Sequence, residues 1–255
     1  MTDPRTVAII QARMASSRLP GKVLQDIGGE PMLVRVVERV RRASMVHAVG
    51  VATTTDPTDD PVADLCQARG YPLWRGSQFD VLDRYYRAAV QFGADVIVRV
   101  TADCPVIDPD VIDQTVKAFF EAGVDFAANR LPPPWKRTFP IGLDTEVVSL
   151  SALERAWKEA VEKHQREHVM PYFYDEEGRF RIRVIDTQPD YGSLRWTVDT
   201  PEDLELLRLI FARFDNRADF GWKDIVALFA REPELAQINA RVRHKMGKEV
   251  DERLK

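Results

Sequence analysis

Short apolar runs rich in β-branched residues alternate along the chain with longer segments whose apolar positions recur every three or four residues. That alternation is the pattern of parallel strands joined by crossover helices. The first run, Val7-Ala8-Ile9-Ile10, reads as a strand buried on both faces. Residues 31–43 follow as an amphipathic helix, with Met32, Leu33, Val36, Val37 and Val40 on its apolar face. Between them the chain reads as a long polar loop. Further strands are expected at 48–53, 71–74 and 95–100, and helices at 60–69 and 79–92, the first of these closed by Gly70. Asp108-Pro109 marks another helix start, because aspartate caps free amide groups and proline suits the first turn.

After Gly123 the pattern loosens. Strands are expected at 125–128, 144–149, 180–186 and 194–198, a proline-rich loop at 131–140 and one helix across 151–163. Thr200-Pro201-Glu202-Asp203 opens a further helix, and a polar helical tail is expected over 222–255. There is no internal repeat, low-complexity tract or linker. The expected fold class is α/β: one Rossmann-like domain over residues 1–255, a mainly parallel sheet with helices on both faces, and an inserted small lobe at about 130–185.

Composition narrows the function classes. The chain has 255 residues, 45% hydrophobic and 30% charged, an ordinary globular make-up long enough to bury a sizeable core. Lys and Arg total 36 against 40 Asp and Glu, a net charge of −4. Such a balance lacks the cationic excess of a nucleic-acid surface, so any anion site must be built from local cations. No apolar run approaches the ~20 residues that span a bilayer. The first residues, MTDPRTVAIIQARM, lack the basic region, apolar stretch and cleavage site of an export signal, so a cytoplasmic protein is expected. Cys66 and Cys104 match no metal or redox spacing and read as reduced thiols.

In open α/β sheets ligands bind beyond the C-terminal strand ends. The loop after the first strand runs from Gln11-Ala12-Arg13 through Ala15-Ser16-Ser17-Arg18 to Pro20-Gly21-Lys22. Small residues let backbone amides approach an anion, and Arg13, Arg18 and Lys22 can balance a polyphosphate. One such contact at ~4 Å amounts to about 4 kcal/mol at an effective dielectric near 20, before desolvation. The loop is neither a Walker A sequence nor GxGxxG, which disfavours P-loop and dinucleotide folds. Asp103 and Asp199 each follow an expected strand, and Mg²⁺ is commonly held by one or two carboxylates with phosphate oxygens and water. They are the expected metal pair; read singly, Asp103 is equally a turn residue and Asp199 a residue ahead of a capping box. Asp144 and Glu146, two apart in an expected strand, share a side and suit either the hydroxyls or amine of a second substrate or an exposed strand face. His168 suits an acceptor carboxylate or half-buried structure, and Trp135-Lys136-Arg137 a substrate-facing loop or a surface lid.

The string AIIQARMASSRLPGKVL resembles the N-terminal signature of cytidylyltransferases that make CMP-activated acidic sugars, such as the CMP-KDO and CMP-sialate synthetases. It is most similar to the type named after spore-coat polysaccharide biosynthesis protein F. The likeness continues through Arg75-Gly76 and DVLDRY at 80–85, TADCP at 101–105, GLDTE at 142–146, REHV at 166–169 and WTVDTPED at 196–203. The resemblance implies a nucleotidyltransferase fold of GT-A type and attack of a substrate oxygen on the α-phosphate of CTP with Mg²⁺, giving a CMP conjugate and pyrophosphate. It assigns Arg13, Arg18 and Lys22 to the triphosphate, with Ala12 and Gln11 beside it, and Arg75 with Thr101-Ala102 to the base, whose carbonyl and amino edges need hydrogen bonds. Arg13, Lys22, Asp103 and Asp199 then carry catalysis, and Asp144, Glu146 and His168 the acceptor. It also implies a homodimer, for which the helical tail offers an interface. Nonulosonic acid synthetases carry IPARGGSKRIPGKN-like loops, so the acceptor stays open between such acids, other acidic sugars and phosphonates. A glycosyltransferase that consumes a nucleotide sugar is the other enzyme reading, although Asp103-Cys104-Pro105 supplies one carboxylate where such enzymes present DxD. A non-catalytic nucleotide-binding protein is the third.

Overall fold

The computed structural model describes residues 3–132 and 136–242. In chain order it has β1 (Thr6–Gln11), β2 (Asp26–Ile27), β3 (Glu30–Pro31), α1 (Met32–Val40), β4 (Ala48–Thr54), α2 (Asp60–Arg69), β5 (Leu73–Gly76), α3 (Val81–Gln91) and β6 (Val96–Thr101). It continues with α4 (Pro109–Ala122), β7 (Phe126–Ala128), β8 (Glu146–Ser149), α5 (Leu150–Glu159), α6 (Lys163–His168), α7 (Pro171–Tyr174), β9 (Ile182–Val184), α8 (Pro201–Arg213), α9 (Trp222–Arg231) and α10 (Leu235–Ile238). Seven strands form one sheet in the order β5-β4-β1-β6-β8-β7-β9. β1 is parallel to both β4 and β6, and β8 runs antiparallel to β6 and β7.

Because β1 is flanked by β4 on one side and β6 on the other, the strand order reverses at its C-terminal end. A crevice opens where connections leave such a point in opposite directions. β1 can sit there because both of its faces are apolar: Ala8 and Ile10 pack with α1, α2 and α4, while Val7 and Ile9 pack with α3, α5 and α7. The α/β architecture with helices on both faces is therefore the one read from the hydrophobic pattern.

Several elements differ from their expected form. The polar loop after β1 contains a small hairpin, β2 with β3, turned by Gly28 and Gly29 at φ +64° and +89°. Both positions favour residues without a Cβ. The helix expected across 151–163 ends at Glu159, since Glu162 and Gln165 form a capping box that starts α6 anew. Residues 194–198 do not join the sheet; they make a single parallel bridge, Arg195 to Ile141, because β8 already occupies the edge of β6. Residues 130–185 contribute β8 and β9 to the main sheet. The tail is less polar than expected: Trp222, Ile225, Leu228 and Phe229 of α9 are buried with α8 in a third core cluster. Trp135 and 243–255 lie outside the described residues, and no described helix is long and apolar enough to cross a membrane.

The third cluster is fastened to the sheet by an arginine. Arg39 is fully buried in α1 and donates to the carbonyls of Ile107 at 2.7 Å, Ala218 at 2.7 Å and Phe220 at 2.9 Å, with its guanidinium 4.7 Å above the Phe220 ring. Removing that fork leaves the buried Ile107 and Phe220 carbonyls without this donor, while Ala218 keeps Arg42. Arg39→Met is expected to lower unfolding free energy by about 3 kcal/mol, read by urea denaturation with an unchanged m value.

Candidate active site

The loop leaving β1 is held in shape by hydrogen bonds, with Met14 and Leu19 packed against the core. Ala12 donates to Ala52 at 3.1 Å, and Gly21 closes the loop by donating to the Met14 carbonyl at 2.9 Å. Buried Asp59 anchors it from the next crossover, accepting from the Met14 amide at 2.6 Å and from the Thr54 hydroxyl. The small residues Ala15, Ser16 and Ser17 and the cations Arg13, Arg18 and Lys22 are thereby gathered around a cavity of about 230 Å³. Gln11, at the end of β1, and Thr101, at the end of β6, are paired in register, and both line it with Ala102, Asp103 and Asp199.

One wall of this cavity holds a buried ammonium group. Lys22 is only 8% exposed. Its Nζ donates to Asp103 Oδ2 at 2.8 Å, Asp199 Oδ1 at 2.9 Å and the Val198 carbonyl at 2.7 Å, which uses all three protons. Burial alone would lower its pKa, but Asp103 and Asp199 outweigh that and raise it. Asp199 also receives Arg18 at 2.8 Å and Arg195 at 2.7 Å. Burial opposes the Asp199 charge, yet Lys22, Arg195 and Arg18 hold its carboxyl well below the usual carboxylate range.

Asp199 has its own scaffold. Arg195, buried behind it, donates through Nε to Asp203 Oδ1 at 3.0 Å and through Nη2 to Asp203 Oδ2 at 3.1 Å. Asp203 in turn accepts the backbone amides of Asp199 and Thr200 at 2.9 and 3.1 Å, and Asn239 donates to it at 2.8 Å. The bridge from Arg195 to Ile141 requires Gly142, since a Cβ there would lie 2.7–2.8 Å from the backbone of Trp196 and Thr197, at φ +109°.

A second cavity, of about 150 Å³, shares Thr101, Asp103 and Asp199 with the first. Asp144 and Glu146 both line it. Only Glu146 lies in a strand; Asp144 precedes it, drawn to Arg130 at 3.1 Å and to Arg137. Glu146 accepts from Arg99, whose charged form it favours against burial. The two carboxylates are therefore separate ion pairs rather than a bare acidic face.

The chain matches the family described as Cytidylyltransferase over residues 7–238. It belongs to the cytidylyltransferase family. Similar to it are the spore coat polysaccharide biosynthesis protein SpsF of Bacillus subtilis, 31% identical over 89% of this chain and 95% of that protein, and a cytidylyltransferase structure from Leptospira borgpetersenii, 31% identical with a TM-score of 0.86 over 95% of this chain and 99% of that one. A 3-deoxy-manno-octulosonate cytidylyltransferase of Nitratidesulfovibrio vulgaris is 40% identical across 50% of this chain and 51% of its own length. Family membership decides between the two enzyme readings of the sequence in favour of nucleotidyl transfer.

Not every residue assigned from the cytidylyltransferase resemblance meets these cavities. Arg75 lies on neither wall; it donates to the Thr54 and Asp56 carbonyls at 2.8 and 3.1 Å and pairs with Asp60, tying β5 to the start of α2. His168 is half-buried at the end of α6, also away from both walls. In the same motif Arg166 forks onto Asp80, the N-cap of α3, and joins α6 to α3. Cys104 lines the second cavity, but burial pushes its thiol well above the ordinary range, so it offers no thiolate. Arg99, Arg130, Arg195 and Asn239 escape local pattern reading. The available signal is charge in an apolar run: Arg99 interrupts Val96-Ile97-Val98 and Val100, and Arg195 stands between Leu194 and Trp196.

A carboxyl depressed on folding stabilises above its unfolded pKa, about 3.9, and loses that contribution as pH falls. Below about pH 4 the unfolding free energy of the wild type is expected to drop more steeply than that of Asp199→Asn, in urea titrations between about pH 2 and 5.

Proposed function

We propose that this protein transfers CMP from CTP to an oxygen of a small acidic acceptor, an acidic sugar or a related acid such as a phosphonate, in a reaction that depends on Mg²⁺. The observation carrying this reading is the pair of adjoining cavities: one is ringed by Arg13, Arg18 and Lys22, the other by paired arginines and carboxylates, and Asp103 and Asp199 stand on the wall they share. Curated relatives that act on 3-deoxy-manno-octulosonate support the acidic class of acceptor.

The residues fit a divalent ion. Asp103 and Asp199 already converge on one cation, the Lys22 ammonium, at 2.8 and 2.9 Å. Among the described residues no group of three or more His, Cys, Asp or Glu side chains could hold a metal, so phosphate oxygens and water would complete the shell around these two. When bound there, Mg²⁺ supplies charge neutralisation on the reacting phosphates. Arg13, Arg18 and Lys22 neutralise the triphosphate, with Gln11 beside it at the end of β1, and Thr101 and Ala102 flank the nucleoside at the end of β6; Ala12 is buried in the core and lines neither cavity. An acceptor in the second cavity meets Arg130 with its acid group and Asp144 and Glu146 with its hydroxyls or amine. Its hydroxyl oxygen, releasing its proton to water, bonds to the α-phosphorus as the α–β bridging P–O bond breaks, and pyrophosphate leaves into the cation-lined cavity. Such transfer is largely a matter of position and charge.

Pyrophosphate release, measured with each of the four nucleoside triphosphates against a panel of acidic sugars and aminoalkylphosphonates, is expected to require CTP and one acceptor. Release that is independent of CTP overturns the assignment. Asp103→Asn is expected to lower kcat by about 10²-fold in the same assay, on protein whose circular dichroism shows the wild-type fold.

A further inference from the structure

We propose that the Lys22 ammonium is the resting occupant of the cation site between Asp103 and Asp199, so that a divalent ion binds there only once a triphosphate has drawn Lys22 away. This rests on the reading above that the cavity takes a nucleotide together with its metal.

The geometry of Lys22 carries the argument. All three of its protons are committed to oxygens at 2.7–2.9 Å, two of them carboxylate oxygens from segments 96 residues apart. An ion bonded to the same two oxygens at the 2.0–2.1 Å usual for Mg²⁺ would lie against the ammonium and repel it. One site therefore holds one cation or the other. Lys22 has somewhere to go, because it lines the cation-rich cavity itself, alongside Arg13 and Arg18. A triphosphate there offers Lys22 and Arg18 phosphate oxygens in exchange for aspartate, and the carboxylates they leave accept the incoming ion.

Arg195 makes the exchange possible. Of the three cations on Asp199, Arg18 and Lys22 line the first cavity, whereas Arg195 lines neither cavity. Its Nη2 bridges Asp199 at 2.7 Å and Asp203 at 3.1 Å, and Asn239 holds its carbonyl at 3.1 Å. Arg195 is thus a positioning residue: it keeps Asp199 in place and partnered while the other two cations change sides.

The test is Mn²⁺ binding without nucleotide, read by electron paramagnetic resonance on the full chain, with circular dichroism confirming the fold of each variant. Wild type is expected to bind Mn²⁺ at least tenfold more weakly than Lys22→Met, and Lys22→Met combined with Asp199→Asn is expected to lose the gain. Lys22→Gln serves if Lys22→Met does not fold. The proposal is overturned if wild type binds Mn²⁺ as tightly as the Lys22 variants, or if the gain survives Asp199→Asn. Pyrophosphate release by the wild type separates the two readings. Release without the Mn²⁺ gain removes the exchange alone, and a gain without release from CTP removes the nucleotidyl reading while keeping Lys22 as the occupant of a cation site.

Discussion

The Lys22 ammonium ties together three parts of the chain at one point: the loop after β1, the turn after β6 and the segment that leads into α8. A buried cation of this kind is costly unless every proton finds an oxygen and nearby charge balances it. Meeting that demand fixes where Asp103 and Asp199 stand, and so where the two cavities join. The sheet supplies the opportunity, since β1 and β6 end side by side where the strand order reverses. The ammonium converts that opportunity into a defined arrangement of charge.

The same demand explains the arginines around the site. Other carboxylates near the shared wall have guanidinium partners: Glu146 has Arg99, Asp144 has Arg130 and Arg137, and Asp203 shares Arg195 with Asp199. Carboxylates crowded into a crevice without such partners would take up protons. Paired, they stay charged and keep their direction, which is what orientation of a small polar molecule requires. The ion pairs therefore add little net stability compared with an apolar lining; their contribution is geometry.

The parts of this molecule legible from sequence are those governed by short-range rules. The two-faced apolar run of β1, the Asp108-Pro109 start of α4 and the Thr200-Pro201 start of α8 are all where local pattern places them. The cations Arg13, Arg18 and Lys22 were readable as a group because they share one loop. Long-range pairing was not readable. Nothing beside Arg75 in sequence says that its guanidinium is occupied by the Thr54 and Asp56 carbonyls, and nothing beside Asp144 says that Arg130 and Arg137 pull it ahead of the strand. Arg195 and Asn239 lie 44 residues apart and meet only through the fold.

Those separations also set an order in time. Lys22 leaves the ribosome early, 81 residues before Asp103 and 177 before Asp199, and translation proceeds from the N-terminus. A nascent chain thus holds the cationic loop long before it holds the second carboxylate that balances it. Asn239, which steadies Asp203 and the Arg195 carbonyl, comes later still. The charge network closes only in a polypeptide synthesised at least as far as Asp203, so shorter translation products carry the loop without the site.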